Sequence, residues 1–300
     1  MAPSRERVTV VIRTRNRPLL LERALDDVLM QSFRDWRLIL VNDGGERAPV
    51  DAAVTARADR FAGRVDVVHI DGGTGSMEAA ANVGAKRGGG EFVVIHDDDD
   101  TWHKDFLAET VRALEDAPAA VAASVLTEIV FEHISRTRVV ETGRKLFEPP
   151  GSMITVFDLL HANRVVPISL LVRREVYDRI GWYDEELLAV GDWEFNLRLV
   201  QAGDILFLGD RPLAFWHQRP QAKGTHSNSI FGSNKDHAHF DRLVRDRALR
   251  EHIDQYGAGA LLYLTKFMDE RMHYYSVGGT VRRVARRLLE RFRFGRKGTR

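Results

Sequence analysis

Residues 91–102 read EFVVIHDDDDTW, an apolar run that ends on four consecutive aspartates, Asp97 to Asp100, and then Trp102. Two carboxylates held about 4 Å apart repel by roughly 4 kcal/mol at an effective dielectric of 20. A fold tolerates such a run when the aspartates stay in water or when a cation lies between them. The first case is an acidic turn capping a helix, where Asp suits the macrodipole. The second is a divalent-ion site: hard oxygen ligands select Mg2+ or Mn2+, ions often shared with substrate phosphates. An ion there would neutralise a departing diphosphate. The place of the run, directly after a strand-like segment, favours the second case. Asp99 is then the expected direct ligand, Asp97 reaches a ribose or the waters of the metal, and Asp98 and Asp100 shape the turn.

The elements that must position this run are legible in the first hundred residues. VTVVIR (8–13), RLILVND (37–43), VDVVHI (65–70) and EFVVIHD (91–97) are short β-branched runs of the buried-strand kind. Helical patterns separate them. One starts at Pro18, a good first-turn residue, one covers 48–63, and one covers 75–90, the last two Ala-rich and ending at glycines. Strand–helix alternation predicts a parallel sheet with helices on both faces. Thr14 to Arg17, Asn42 with Asp43, Asp71, and Asp97 to Asp100 then all fall at carboxyl ends of strands, the edge where open α/β sheets bind ligands.

From about residue 119 the rhythm changes. Residues 120–133 and 137–147 read as longer, antiparallel-type strands, 167–181 as a strand and a short helix, 191–203 as an amphipathic helix ending at Gly203, and 204–218 as further strands. QAKGTHSNSIFGSN (221–234) has the composition of a lid loop, and the chain from about 235 reads as helical. The expected organisation is a nucleotide-binding half (1–118), an acceptor half of the same domain (119–220), the lid (221–234) and a helical C-terminal extension (235–300).

Composition sets outer limits. An apolar content of 44% with 29% charged residues describes an ordinary globular chain. A formal charge of +1 gives no argument for nucleic acid. The chain has no cysteine, which removes disulfides, thiolate metal sites and a Cys nucleophile. MAPSRERVTVVIRT carries no secretory h-region, and no stretch approaches ~18 consecutive apolar residues. A cytoplasmic protein is expected, with one qualification: in 280–296, Val281, Val284, Ala285, Leu288 and Phe292 share one helical face and arginines the other. Such a helix lies on an anionic membrane surface or docks on its own core.

Taken in order, these segments resemble the family 2 glycosyltransferases, nucleotide-sugar enzymes of the GT-A fold, over roughly residues 7–220. VTVVIRTRNRP is similar to the opening strand and nucleotide loop of that family, LVNDG to its second-strand aspartate, and ANVGAKRGGGEFVVIHDDDDTW to its Asn-x-Gly helix and DxD signature. ISLLVRREVYDRIGWYDEEL and GDWEFNLRL are similar to its acceptor-side segments. The resemblance implies that Thr14, Arg15, Asn16, Arg17, Asp43, Asn82, Asp97 and Asp98 bind the nucleotide-sugar. Asp43 would accept a hydrogen bond from the imide N–H of uracil or thymine, or else serve as an Asp-Gly turn residue. Asn82 would face the donor, or else be a helix-surface amide. Where the family usually shows an aromatic residue near Arg15 there is none, and the guanidinium plane can stack instead. Asp192 aligns with the catalytic base, although this chain has Gly191-Asp192 where the family often has Glu-Asp; an N-cap role competes with that reading. His217, with His226 behind it, is implied as a third metal ligand or diphosphate contact, against a satisfied buried histidine. His96 is expected in sheet packing, and Trp102 and Trp193 around the cleft.

The implied activity is an inverting, Mn2+- or Mg2+-dependent transfer of one hexose from UDP or dTDP to a hydroxyl acceptor. Three rivals are weaker. A sugar-1-phosphate nucleotidyltransferase would carry a glycine-rich loop after the first strand, which IRTRNRP lacks. A processive synthase would bring membrane spans and a Gln-x-x-Arg-Trp motif, both missing from this sequence. A non-catalytic nucleotide-sugar or partner-binding module would not need both the acidic run and Asp192.

Overall fold

The computed structural model describes residues 6–135, 138–148, 151–222, 224, 228 and 234–275. The basic amphipathic segment 280–296, His226 and most of the 221–234 loop lie outside the described residues. The chain divides into two compact units between Arg242 and Leu243.

The first unit is built on a seven-stranded sheet. Its strands are β1 (Val8–Thr14), β2 (Trp36–Asp43), β3 (Val65–Ile70), β4 (Phe92–Asp97), β6 (Ala122–Val125), β9 (Leu170–Arg173) and β10 (Ile205–Leu208), in the order β10-β6-β9-β4-β1-β2-β3. The four strands expected from the sequence are parallel, with β1 central: Thr14 lies opposite Asn42, Arg13 opposite Asp97, and Asp43 opposite Ile70. Their carboxyl ends therefore form one continuous edge. Strand β9 runs antiparallel between β4 and β6, with Leu171 opposite both Val94 and Ala123.

A second, four-stranded sheet has the order β5-β11-β7-β8, with β5 (Thr101–Trp102), β7 (Thr127–Ser135), β8 (Arg138–Leu146) and β11 (Ala214–Gln218). Segment 120–133, expected as one strand, is divided at Leu126. There the chain leaves the first sheet, with the Leu126 amide held by the Leu208 carbonyl, and enters the second. That crossing brings Glu132 and His217 beside the aspartate run.

Period-two burial fixes the faces of the main sheet. Val8, Val10, Ile12, Leu38 and Leu40 pack into one core, and Val11, Ile39 and Val41 into the other. Helix α1 (Pro18–Met30) covers the first with Leu21, Ala24, Leu25 and Val28. Residues 48–63 form two helices, α2 (Arg47–Thr55) and α3 (Ala58–Phe61). Arg57, at the break, turns its guanidinium onto Asp26 of α1 at 2.7 Å. Helix α4 (Met77–Arg87) lies so close on the other face that a Cβ at Gly84 would sit 2.3 Å from Val11 Cγ1. This contact, with no demand on φ, explains the glycine of Asn82-x-Gly84.

The remaining helices are α5 (Phe106–Asp116), α6 (Val156–His161), α7 (Arg174–Ile180), α8 (Gly191–Ala202), α9 (Asn234–Tyr256) and α10 (Gly259–Tyr275). The helical reading from about 235 agrees with α9 and α10. No helix among the described residues is long and apolar enough to cross a membrane.

Candidate active site

The aspartate run is not solvated. Asp98, Asp99 and Asp100 are 0%, 7% and 2% exposed, so the repulsion between them must be met by cations or by protonation. The cations in this structure are arginines. Arg13 at the end of β1 pairs with Asp97 at 2.7 Å. Arg17, one residue before α1, holds Asp98 at 2.5 Å and reaches Asp99 at 3.3 Å. Arg219, fully buried just past β11, pairs with Asp99. Thr14 donates to Asp98 at 2.6 Å, and the Asn228 amide to Asp99 at 3.2 Å.

Behind Asp99 lies a second layer that the sequence reading missed. Glu132 of β7, 4% exposed, accepts from Arg219 at 2.6 Å, Arg23 at 2.8 Å and His217 Nδ1 at 2.8 Å. Arg23 also donates to the Asp99 carbonyl. Four guanidinium groups thus face five carboxyls across this edge. The available signals were weak: a glutamate interrupting the strand TEIVFEH, an arginine two residues past His217, and single arginines on β1 and α1.

The balance of burial and charge differs from group to group. Burial pushes Asp98 up to about 6, with Arg17 opposing and Asp99 adding to the rise. Burial raises Asp100 well above the carboxylate range, reinforced by Asp99 and Asp97. At Asp97 the Arg13 charge outweighs burial and the value falls. Glu132 is pushed up by burial, but His217 and Arg23 together hold it at about 2. Burial lowers His217 despite Glu132. The His217 Nδ1 lies 2.8 Å from Glu132 and its Nε2 2.8 Å from the Thr101 hydroxyl.

Other expected contacts can be placed as well. Arg15 is exposed beside Asn16, whose Oδ1 accepts from the Glu46 amide at 2.8 Å and whose φ is +55°. A cleft of about 300 Å³ lies below this loop, lined by Thr14, Asn16, Arg17, Pro18, Leu21, Glu46, Pro49 and Val50. Asp43 accepts from the Thr74 amide at 2.6 Å and its hydroxyl at 3.1 Å, which ties down the loop after β3; each carboxylate oxygen retains a further lone pair.

Asn82, expected to face the donor, is 1% exposed and turned into the protein. Its amide donates to the Tyr183 carbonyl at 2.9 Å and Glu185 at 2.8 Å, and its oxygen accepts from the Tyr183 amide at 3.1 Å. It latches the segment that leads to α8. His96 is fully buried between the Asp97 carbonyl and Asp27. Trp102 stacks on Phe106 and donates to the Ile168 carbonyl, while Trp193 donates to the Leu159 carbonyl at 2.6 Å.

Asp192 sits in the first turn of α8, and Asn163 donates to its Oδ2 at 2.8 Å. Burial raises its pKa, and Arg13 and Asp97 are within its electrostatic reach. Arg13, the ion-pair partner of Asp97, is thus among the charges that act on the acceptor-side carboxyl. The residue before the helix, Val190, has φ +59° and ψ +14°. A β-branched residue in the left-handed region is strained by roughly 1–3 kcal/mol, and such strain concentrates at functional sites.

Residues 9–181 match the family described as Glycosyl transferase family 2, more than half of the chain. The chain belongs to that family. This glycosyltransferase is 28% identical over 193 residues to the uncharacterized glycosyltransferase YwdF of Bacillus subtilis (strain 168), covering 64% of this chain and 67% of that one. Solved structures share its fold. TarS 1-349 of S. aureus, crystallised with UDP, superposes with a TM-score of 0.56 at 19% identity, over 71% of this chain and 61% of that chain. The mannosyltransferase PcManGT from Pyrobaculum calidifontis, with GDP-Man and Mn2+, gives 0.56 at 17% identity, over 96% and 81%. The fold of this glycosyltransferase is accordingly GT-A.

The Mn2+ in that neighbour raises the question of whether these residues fit a divalent ion. Their oxygens are of the right chemical kind, but their arrangement does not fit. Asp99 is taken by Arg219, Arg17 and Asn228. Both ring nitrogens of His217, the other expected ligand, are hydrogen-bonded. Among the described residues no group of three Asp, Glu or His side chains is disposed to hold a metal.

Proposed function

We propose that this glycosyltransferase is an inverting hexosyltransferase, moving one sugar from UDP or dTDP to a hydroxyl acceptor with Asp192 as general base. The observation that carries the reading is the setting of Asp192: a carboxyl in the first turn of α8, held by Asn163 at 2.8 Å, whose pKa burial raises. A raised pKa brings a base nearer its operating pH.

In the reaction, the acceptor oxygen attacks the anomeric carbon, the bond from that carbon to the diphosphate oxygen breaks, and the nucleoside diphosphate leaves with the electron pair. The acceptor proton passes to the Asp192 carboxylate. Asn163 keeps that carboxylate in one orientation. Arg17 supplies positive charge to the departing diphosphate, and Arg219 adds to the field from behind Asp99, stabilisation that needs no reorganisation at the moment of transfer. Arg15, Asn16 and Asp43 are proposed nucleoside contacts. A divalent ion, Mn2+ or Mg2+, would add Lewis-acid stabilisation of the same leaving group if it displaced Arg219 from Asp99; no step above depends on it.

The test is Asp192→Asn. Transfer should fall at least ~100-fold, within the usual range for a general base, with UDP affinity unchanged, and the product of the parent enzyme should have the inverted anomeric configuration. Near-normal turnover of the variant, or retained configuration, would refute the mechanism.

A further inference from the structure

Glu78 is the second residue of α4, a position where a glutamate ordinarily reaches into water, yet it is 5% exposed. Its Oε2 is buried without a hydrogen-bond partner. An unpaired buried polar atom is unfavourable, so a fold that keeps one invites a functional explanation. The carboxyl points at the start of α8. A Cβ at Gly191 would lie 2.5 Å from Glu78 Cγ and 2.7 Å from its Oε1. Gly191 has no left-handed φ to account for the glycine; space alone requires it. Glu78 and Gly191 are a matched pair, and the next residue is Asp192.

The surroundings of Glu78 are charged on several sides. Arg13 from β1, Asp97 from the end of β4 and Asp192 from α8 all act on it, and burial raises it to about 7. Asp192 in turn feels Arg13, Asp97 and His237, and buried Tyr183 couples to both Arg13 and Asp192.

We propose that Glu78 is a positioning residue for the transfer step, filling the gap at Gly191 to hold the first turn of α8 and to set the charge beside Asp192. The inference rests on the reading of Asp192 as base. Glu78 itself touches no reacting atom. Neutral, it leaves Asp192 a weak base; ionised, it makes proton transfer to Asp192 more favourable.

The experiment follows kcat for UDP release from UDP-glucose, with water as acceptor, from pH 5.5 to 9 in the full chain. The parent should show a rise near neutral pH in addition to the ionisation of Asp192. Glu78→Gln should lose that rise, falling about tenfold at pH 8 and less than twofold at pH 6, with KM within threefold of the parent. An equal loss at both pH values would mark a merely structural role and overturn the proposal. A second measurement needs no donor. Gly191→Glu alone should lower the thermal midpoint, and Glu78→Ala/Gly191→Glu, which moves the carboxyl across the gap, should restore most of it. A Gly191→Glu protein as stable as the parent would overturn the pairing. Full activity of Asp192→Asn would remove the base reading itself. An inactive Asp192→Asn beside a Glu78→Gln protein with the parental pH profile would remove only the role of Glu78.

Discussion

The perturbation that probes the charge layout of the site most quantitatively is Glu132→Gln. Glu132 is almost fully buried and is held by His217, Arg23 and Arg219, with a carboxyl displaced from an ordinary 4.5 to about 2. A carboxyl whose folded value is depressed adds stability above its unfolded pKa and loses it as pH falls toward the folded value. At roughly 1.4 kcal/mol per unit, this displacement contributes about 3 kcal/mol at pH 7. The same relation leaves about 2 kcal/mol at pH 3.5 and close to nothing below pH 2. Urea unfolding of parent and variant at pH 7 and 3.5 reads both values, and the pH 7 difference corresponds to roughly 5 °C in thermal midpoint for a chain of this size. A difference below about 1 kcal/mol at pH 7, or one that does not narrow on acidification, would refute the linkage argument. The buried ionic layer behind Asp99 would then not be held by Glu132.

Three further outcomes follow from the same geometry. Arg219→Met leaves Asp99 and Glu132 short of a buried cation; it should lower stability by about 3–5 kcal/mol and tighten Mn2+ binding at least tenfold by electron paramagnetic resonance, whereas unchanged Mn2+ affinity would show that Arg219 does not guard Asp99. Asn82→Ala removes three hydrogen bonds to residues 183–185 and should cost about 2–3 kcal/mol with donor KM within threefold; a large rise in KM at parental stability would return Asn82 to the nucleotide-sugar. Val190→Gly relieves a left-handed valine and should stabilise the fold by about 1 kcal/mol while lowering kcat, and a loss of stability would contradict the assignment of strain before α8.

Much of the fold could be read from sequence because its signals are local. β-Branched runs of buried-strand length and glycine stops recur between residues 8 and 97, and the four parallel strands fall within a residue or two of their expected bounds. The carboxyl edge followed from chain direction alone. What escaped was pairwise and long-range. Asp99 with Arg219 spans 120 residues and Glu132 with His217 spans 85. No spacing rule links such residues, so the arginines that pair with the aspartates could not be read from the sequence. Asn82 shows the same limit: its position on α4 was legible, but the direction of its amide depends on a loop a hundred residues away. Gly191 read as a departure from a motif until the space around it placed Glu78 there.

A crystal structure of the protein with UDP tests the central claim most directly. The account predicts the diphosphate on Arg17 at the carboxyl ends of β1 and β4, with Arg219 behind Asp99, the uridine between the Thr14–Arg17 loop and Asp43, and Asp192 facing the β-phosphate across the space for a sugar. A nucleotide bound elsewhere, or a diphosphate out of reach of Arg17, would contradict it.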